Sequence, residues 1–112
     1  MPAQLSGRVA IVTGAGSPIG LGHAMAVALV RAGARVAVLD INPATVQDTV
    51  VELRALGGNG SALPIVCDVS DPAACAEAVR RTVGELGGLH VLVNNAGTVP
   101  RNLGFEIGRA HV

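Results

Sequence analysis

RVAIVTGAGSPIGLGHAMAVALVRAGARVAVLD, residues 8 to 40, holds a complete strand–turn–helix–strand unit and decides the fold. Val9, Ala10, Ile11 and Val12 form an apolar, β-branched run that passes through Thr13 into the glycine-rich turn TGAGSPIG. A long apolar helical segment follows, then a second apolar run ending in a carboxylate at Asp40. Such a turn needs glycine for a steric reason. The chain must leave the strand sharply and bring backbone N–H groups up to a pyrophosphate at the positive end of a helix, where a Cβ would collide. Asp40 stands twenty residues past Gly20, where a strand tip offers a carboxylate to the hydroxyls of an adenosine ribose. Gly14, Gly16 and Gly20 alone would also serve as ordinary turn and packing residues. The strand before, the helix after and the acid at that distance favour a nucleotide site.

The rest of the chain continues the alternation. The first helix is expected from about Pro18 to Ala32, ending at Gly33, with Leu21, Met25, Ala28, Leu29 and Ala32 toward the core. His23, Val27 and Arg31 would then form its solvated side. Arg35 to Asp40 is the second strand. Asn42-Pro43 supplies an N-cap and first helical residue for a second helix, with Val46, Val50, Leu53 and Leu56 buried as far as Gly57-Gly58. Ala62 to Cys67 is the third strand, kinked or started late by Pro64. Asp71-Pro72 repeats the cap for a third helix with Ala76, Val79, Val83 and Leu86 buried and a Glu77–Arg81 pair in solvent. Gly87-Gly88 ends it, and Leu89 to Asn94 is the fourth strand, whose Val91, Leu92 and Val93 are expected to lie exposed at the open edge. His90 opens that strand at the amino end of the sheet, away from the ligand end. Cys67 and Cys75 have neither CxxC spacing nor a histidine in register, and read as small buried thiols.

Right-handed crossovers imply an α/β doubly wound parallel sheet ordered 3-2-1-4, truncated to about four strands and three helices. The first two helices cover one face and the third the other. The order reverses between strands one and four, where TGAGSPIG and NNAG, residues 94 to 97, converge on one crevice.

Thr13-Gly14 with Gly20 approximates TGxxxGxG, Pro18 standing where that pattern has its middle glycine. Together with Asp68-Val69 after the third strand and Asn94-Asn95-Ala96-Gly97, this resembles the short-chain dehydrogenase/reductase family from about Leu5 to Pro100. The resemblance implies a Rossmann-like domain, here the N-terminal cofactor-binding part, of an NAD(P)-dependent enzyme that interconverts alcohols and carbonyls. It places Gly14, Gly16, Ser17, Ile19 and Gly20 at the pyrophosphate, and Asp40 and Ile41 at the adenosine ribose. Asp68 and Val69 would flank the adenine, and Asn95, Ala96 and Gly97 would back the cofactor near its ribose. Thr13 and Asn94 are implied as braces between strands one and four. NAD is expected over NADP, because Asp40 would repel a 2′-phosphate and no Arg or Lys sits in the turn or directly after Asp40 to offset it. The family's Ser and YxxxK machinery has no counterpart: the chain contains no Tyr and no Lys, all eight basic residues being Arg. No catalytic residue is therefore assigned, and the chain itself is expected to be inactive. A small-molecule substrate and a homo-oligomeric parent are further implications. A stand-alone nucleotide-binding module is the alternative from a different class. A Rossmann-fold methyltransferase is disfavoured by the turn's register and by NNAG.

Half the residues are hydrophobic and 14% charged, which suits strands buried on both faces and excludes a disordered chain. A net charge of zero and a single Phe supply neither the electrostatic footprint nor the stacking groups of a nucleic-acid binder. No apolar stretch reaches the length of a membrane span, and the N-terminus lacks a leader pattern, so a cytoplasmic protein without a metal site is expected. The last residues stop following helix or turn logic. Ile107 to Val112 can be encoded as ATC GGA AGA GCA CAC GTC, which resembles a common sequencing-adapter oligonucleotide. Residues 1–105 are thus expected to be the partial domain and residues 106–112 a non-native tail.

Overall fold

In the computed structural model the described residues are 4–14 and 20–95. They form β1 (Val9–Thr13), α1 (Leu21–Arg31), β2 (Arg35–Asp40), α2 (Pro43–Gly57), a 3₁₀ turn (Asn59–Ser61), β3 (Ala62–Val66), α3 (Pro72–Leu86) and β4 (Val91–Asn94). Among the described residues the strands make one parallel sheet, ordered β3-β2-β1-β4. β1 is buried along its whole length, as expected of a central strand covered on both faces. Alternation along the strands divides the core. Ala10, Val12, Val36, Val38 and Val93 pack with Ala26 and Val30 of α1 and Val46, Val50 and Leu53 of α2. Val9, Ile11, Leu39, Ile65 and Leu92 pack with Cys75, Ala78 and Leu86 of α3 on the other face. Completely burying a side chain such as Ile11 or Leu53 contributes about 1.5–3 kcal/mol.

Caps set the element boundaries. Asn42 Oδ1 accepts the N–H groups of Ala44 (3.0 Å) and Thr45 (3.3 Å), and Asp71 Oδ1 accepts that of Ala73 (3.0 Å), each ahead of a proline at the first helical position. Gly87 ends α3 in the left-handed region at φ +92°, as glycine does at little steric cost. α1 begins at Leu21 and not at Pro18, because Gly20 is extended (φ −87°, ψ 163°).

The helix registers differ from those expected. The buried face of α1 is Gly22, Ala26 and Val30, while Leu21 is 66% exposed and Ala28 is also exposed. Small residues face the sheet because they let the helix approach the strands closely. His23 is not solvated: its Nε2 lies 3.0 Å from Glu52 Oε2 and its Nδ1 3.4 Å from Thr49 Oγ1, so it joins α1 to α2. Thr49 is buried in α2, whereas Leu56 is exposed beyond its last turn of contact. In α3 the buried set is Cys75, Ala78, Thr82 and Leu86, with Val83 exposed and Thr82 Oγ1 donating to the Ala78 carbonyl at 2.7 Å. Glu77 pairs with Arg80 and Arg81 with Glu85, in place of Glu77 with Arg81.

Both outer strands have informative edges. β3 runs unkinked from Ala62 with Pro64 paired in register with Val38. The Cys67 N–H donates to the Asp40 carbonyl, so alternate N–H groups face β2 and the missing one at Pro64 faces outward, where an edge strand tolerates it. In β4, Leu92 and Val93 are buried by the two helical layers and Val91 is half-buried, so its side chains are not exposed as expected. His90 is tied to β1 at the amino end: its Nδ1 accepts the Val9 N–H at 2.9 Å and its own N–H donates to the Val9 carbonyl at 2.8 Å.

Candidate cofactor-binding site

At the carboxyl ends of β1 and β4 the chain is drawn together by one hydroxyl. Thr13 Oγ1 accepts the Asn95 N–H at 2.9 Å and shares its own hydrogen between Asn94 Oδ1 at 3.2 Å and the Val93 carbonyl at 3.4 Å. The side chain of a single Thr thereby ties the strands on either side of the switch point. Gly14 turns out of β1 at φ +68°, a conformation open to glycine, and its N–H donates to the Leu39 carbonyl at 2.9 Å.

Gly22, in the first turn of α1, closes the cluster and was not singled out by sequence reasoning. A Cβ on it would lie 2.8 Å from the Gly14 carbonyl oxygen and 2.9 Å from Asn95 Nδ2, so only glycine fits between the turn and the end of β4. The signal was present in the sequence. Gly20-Leu21-Gly22 is itself a GxG pair, separated from Gly14 by five residues where TGxxxGxG has three. Counted this way, Pro18 belongs to added turn length and does not displace a glycine. Gly20 offers no side-chain cap to α1, unlike Asn42 and Asp71 ahead of the other two helices. Among the described residues, then, no N-cap side chain occupies the first-turn N–H groups of α1.

Beside this cluster, Gly14, Leu39, Asp40, Ile41, Cys67, Asp68 and Val69 line a crevice of roughly 150 Å³. It gathers four expected adenosine-side residues, Asp40, Ile41, Asp68 and Val69, and adds Leu39 and Cys67 to them. Asp40 Oδ1 accepts the N–H of Ile41 at 2.7 Å, which fixes the carboxylate at the tip of β2. Asp68 Oδ1 accepts the hydroxyl of Ser70 at 2.6 Å and its N–H at 2.9 Å; the hydroxyl first and then the N–H hold the carboxyl below its ordinary range. Both carboxylates are thus held in place by neighbouring donors of their own chain. Cys67 is buried and its thiol is pushed up to about 11, chiefly by burial and then by Cys75. A larger hollow of about 300 Å³, lined by Arg35, Gly57, Ser61 and Glu85 among others, lies at the amino ends of the strands, opposite the ligand end of such sheets.

Gly16, Ser17, Ile19, Ala96 and Gly97 lie outside the described residues, as do Pro18 and the tail 106–112. Among the described residues no helix is long and apolar enough to cross a membrane, and no group of three or more His, Cys, Asp or Glu could hold a metal ion.

The pattern of the short chain dehydrogenase family matches residues 8–107, nearly the whole chain. The chain belongs to this family. It is 39% identical over 98 residues to the short chain dehydrogenase/reductase dpmpG of Macrophomina phaseolina, covering 88% of this chain and 54% of that one. Against the 4-formylbenzenesulfonate dehydrogenase TsaC1/TsaC2 of Comamonas testosteroni it is 48% identical over 99 residues, 88% of this chain and 38% of the relative. The solved structure of a 7α-hydroxysteroid dehydrogenase complexed with NADH and 7-oxo glycochenodeoxycholic acid superposes with a TM-score of 0.78 at 36% identity, over 86% of this chain and 36% of that one. This short chain dehydrogenase sequence thus spans about half or less of the length of these relatives.

Proposed function

We propose that the chain is the cofactor-binding part of an NAD(P)-dependent oxidoreductase that interconverts alcohol and carbonyl groups, with NAD preferred. The observation that carries this reading is the meeting of two conditions at one end of the sheet: a gap that only Gly22 fits beside Gly14 and Asn95, and a crevice holding the fixed carboxylates of Asp40 and Asp68. In this reading Gly14, Gly20 and Gly22 admit the pyrophosphate to the start of α1, joined by Gly16, Ser17 and Ile19. Asp40 accepts from the adenosine ribose hydroxyls with Ile41 beside it. Asp68 and Val69 flank the adenine, and Asn95, Ala96 and Gly97 back the cofactor near its ribose. A bound nicotinamide would supply the hydride acceptor or donor; the residues of this chain bind and orient it. Since the chain holds no Tyr or Lys, the proton-transferring groups are assigned to residues beyond these 112, in a homo-oligomeric parent acting on a small molecule.

Isothermal titration of the chain with NAD and NADP, alone and after Asp40→Ala, tests the assignment. Hydrogen bonds to a charged acceptor contribute about 1.5–3 kcal/mol, so NAD should weaken at least about tenfold in the variant while NADP gains relative to it. Equal affinity of the unaltered chain for both cofactors would sink the Asp40 role. We further attribute residues 106–112 to adapter read-through, which a genomic clone carrying the same tail after Phe105 would refute.

A further inference from the structure

The turn that follows β3 is organised around a single carboxylate oxygen. Asp68 Oδ1 accepts both the Ser70 hydroxyl at 2.6 Å and the Ser70 N–H at 2.9 Å, and the Asp71 N–H closes the turn on the Asp68 carbonyl at 3.0 Å. The other carboxylate oxygen, Oδ2, has no hydrogen-bond partner among the described residues. Asp68 lines the crevice with Asp40, Ile41 and Val69, whereas Ser70 is not one of its lining residues. We propose that Ser70 is a positioning residue: by holding Oδ1 it leaves Oδ2 of Asp68 as a fixed acceptor for the crevice, which selects a purine with a 6-amino group over one with a 6-oxo group. Selection by Oδ2 rests on the adenine assignment above; the fixing of Asp68 by Ser70 does not.

Two donors on one oxygen decide which end of the carboxylate is open to a ligand. An exposed Asp side chain turns readily about its terminal bond and presents either oxygen. The Ser70 N–H alone would make an ordinary turn contact; the hydroxyl adds a second, short, charge-assisted bond to the same atom and fixes the choice. Since the hydroxyl first and then the N–H hold the carboxyl below its ordinary range, Oδ2 stays ionised at neutral pH and can only accept. An adenine 6-amino group offers a hydrogen to it. A 6-oxo group instead brings a lone pair against a negative oxygen, and the other lining carboxylate, Asp40, only adds negative charge. Ser70 is exposed and its hydroxyl holds no other element, so removing it leaves the packing of the core alone.

Isothermal titration of the 112-residue chain with NAD and with nicotinamide hypoxanthine dinucleotide, which differs from NAD in carrying a 6-oxo purine, provides the test. NAD should bind at least about tenfold more tightly. In Ser70→Ala the ratio should shrink to within about threefold through weaker NAD binding, and Ser70→Thr, which keeps the hydroxyl, should restore it. Asp68→Ala should also abolish the ratio, and adding Ser70→Ala to it should change nothing further, as expected of a residue that acts only through Asp68. A merely structural role for Ser70 would weaken both dinucleotides alike and keep their ratio, which overturns the positioning role. Equal affinity of the unsubstituted chain for the two dinucleotides overturns selection by Oδ2, and that outcome is read without any variant. If the chain binds neither dinucleotide, the cofactor reading itself fails and the selection fails with it.

Discussion

Replacing Gly22 by Ala tests the site at its tightest point. The new Cβ would sit 2.8 Å from the Gly14 carbonyl oxygen, 3.0 Å from the Gly14 carbonyl carbon and 2.9 Å from Asn95 Nδ2. Asn95 can rotate its amide away, but Gly14 cannot retreat, because its N–H is bonded to the Leu39 carbonyl at 2.9 Å and its backbone turns at φ +68°. α1 must therefore move outward by roughly half an ångström to restore ordinary contact, disturbing the packing of Ala26 and Val30 below it. Overpacking of this kind costs about 1–3 kcal/mol, against a helix-propensity gain of at most about 1 kcal/mol for Gly→Ala. The balance is a loss of about 1–2 kcal/mol. Gly84→Ala is the internal control: it lies within α3, a Cβ there would meet nothing within 4 Å, and only the propensity gain of up to about 1 kcal/mol remains. Urea unfolding of both variants at pH 7 should separate their midpoints in opposite directions from the unaltered chain. NAD affinity should fall at least about tenfold in Gly22→Ala and stay unchanged in Gly84→Ala. A Gly22→Ala chain as stable as its parent with unaltered NAD affinity would refute the argument that this gap shapes the site.

Thr13→Val removes the acceptor of the half-buried Asn95 N–H and should cost about 1 kcal/mol or more in urea unfolding, with Thr13→Ser recovering most of it. The Cys67 thiol ionises at about 11 when folded against an ordinary 9.0, so the folded state keeps a proton that the unfolded chain gives up. Its contribution is complete below pH 9 and is lost as pH rises toward 11; the urea midpoint should decline through that window, less steeply in Cys67→Ala, and parallel profiles would contradict the assignment. The chain by itself should oxidise no alcohol with NAD and should associate with rising concentration through the outer backbone of β4; a strictly monomeric chain by sedimentation would count against that edge.

Strand order, helix placement and the meeting of Asp40 and Asp68 at one crevice were legible because each rests on punctuation. Asn42-Pro43, Asp71-Pro72 and Gly87 mark helix ends by backbone chemistry that tertiary packing seldom overrides, and all three stand where expected. Helix registers were not legible. LGHAMAVALVR is apolar or small almost all the way round, so periodicity could not choose between Leu21 and Gly22 as the buried residue, and close approach to the sheet chose the smaller. Thr49 and Thr82 displaced apolar neighbours from the interior because each hydroxyl finds a partner there, His23 Nδ1 for one and the Ala78 carbonyl for the other. Gly22 was overlooked for a related reason: matching the pattern from Gly14 forward put Pro18 in a glycine's place and left the pair Gly20 and Gly22 unread.

Pro64 gives the sheet a direction of growth. One flank, at β3, lacks a donor in the middle of its five residues, so a neighbouring strand laid against it could not complete its ladder. The opposite flank has no proline among its four. Any strand that joins this sheet, whether from the remaining length seen in the chain's relatives or from a second copy, is steered to the side where Thr13 and Asn95 already gather the switch point. A single imino acid on the far side thus bears on which edge of the sheet can accept another strand.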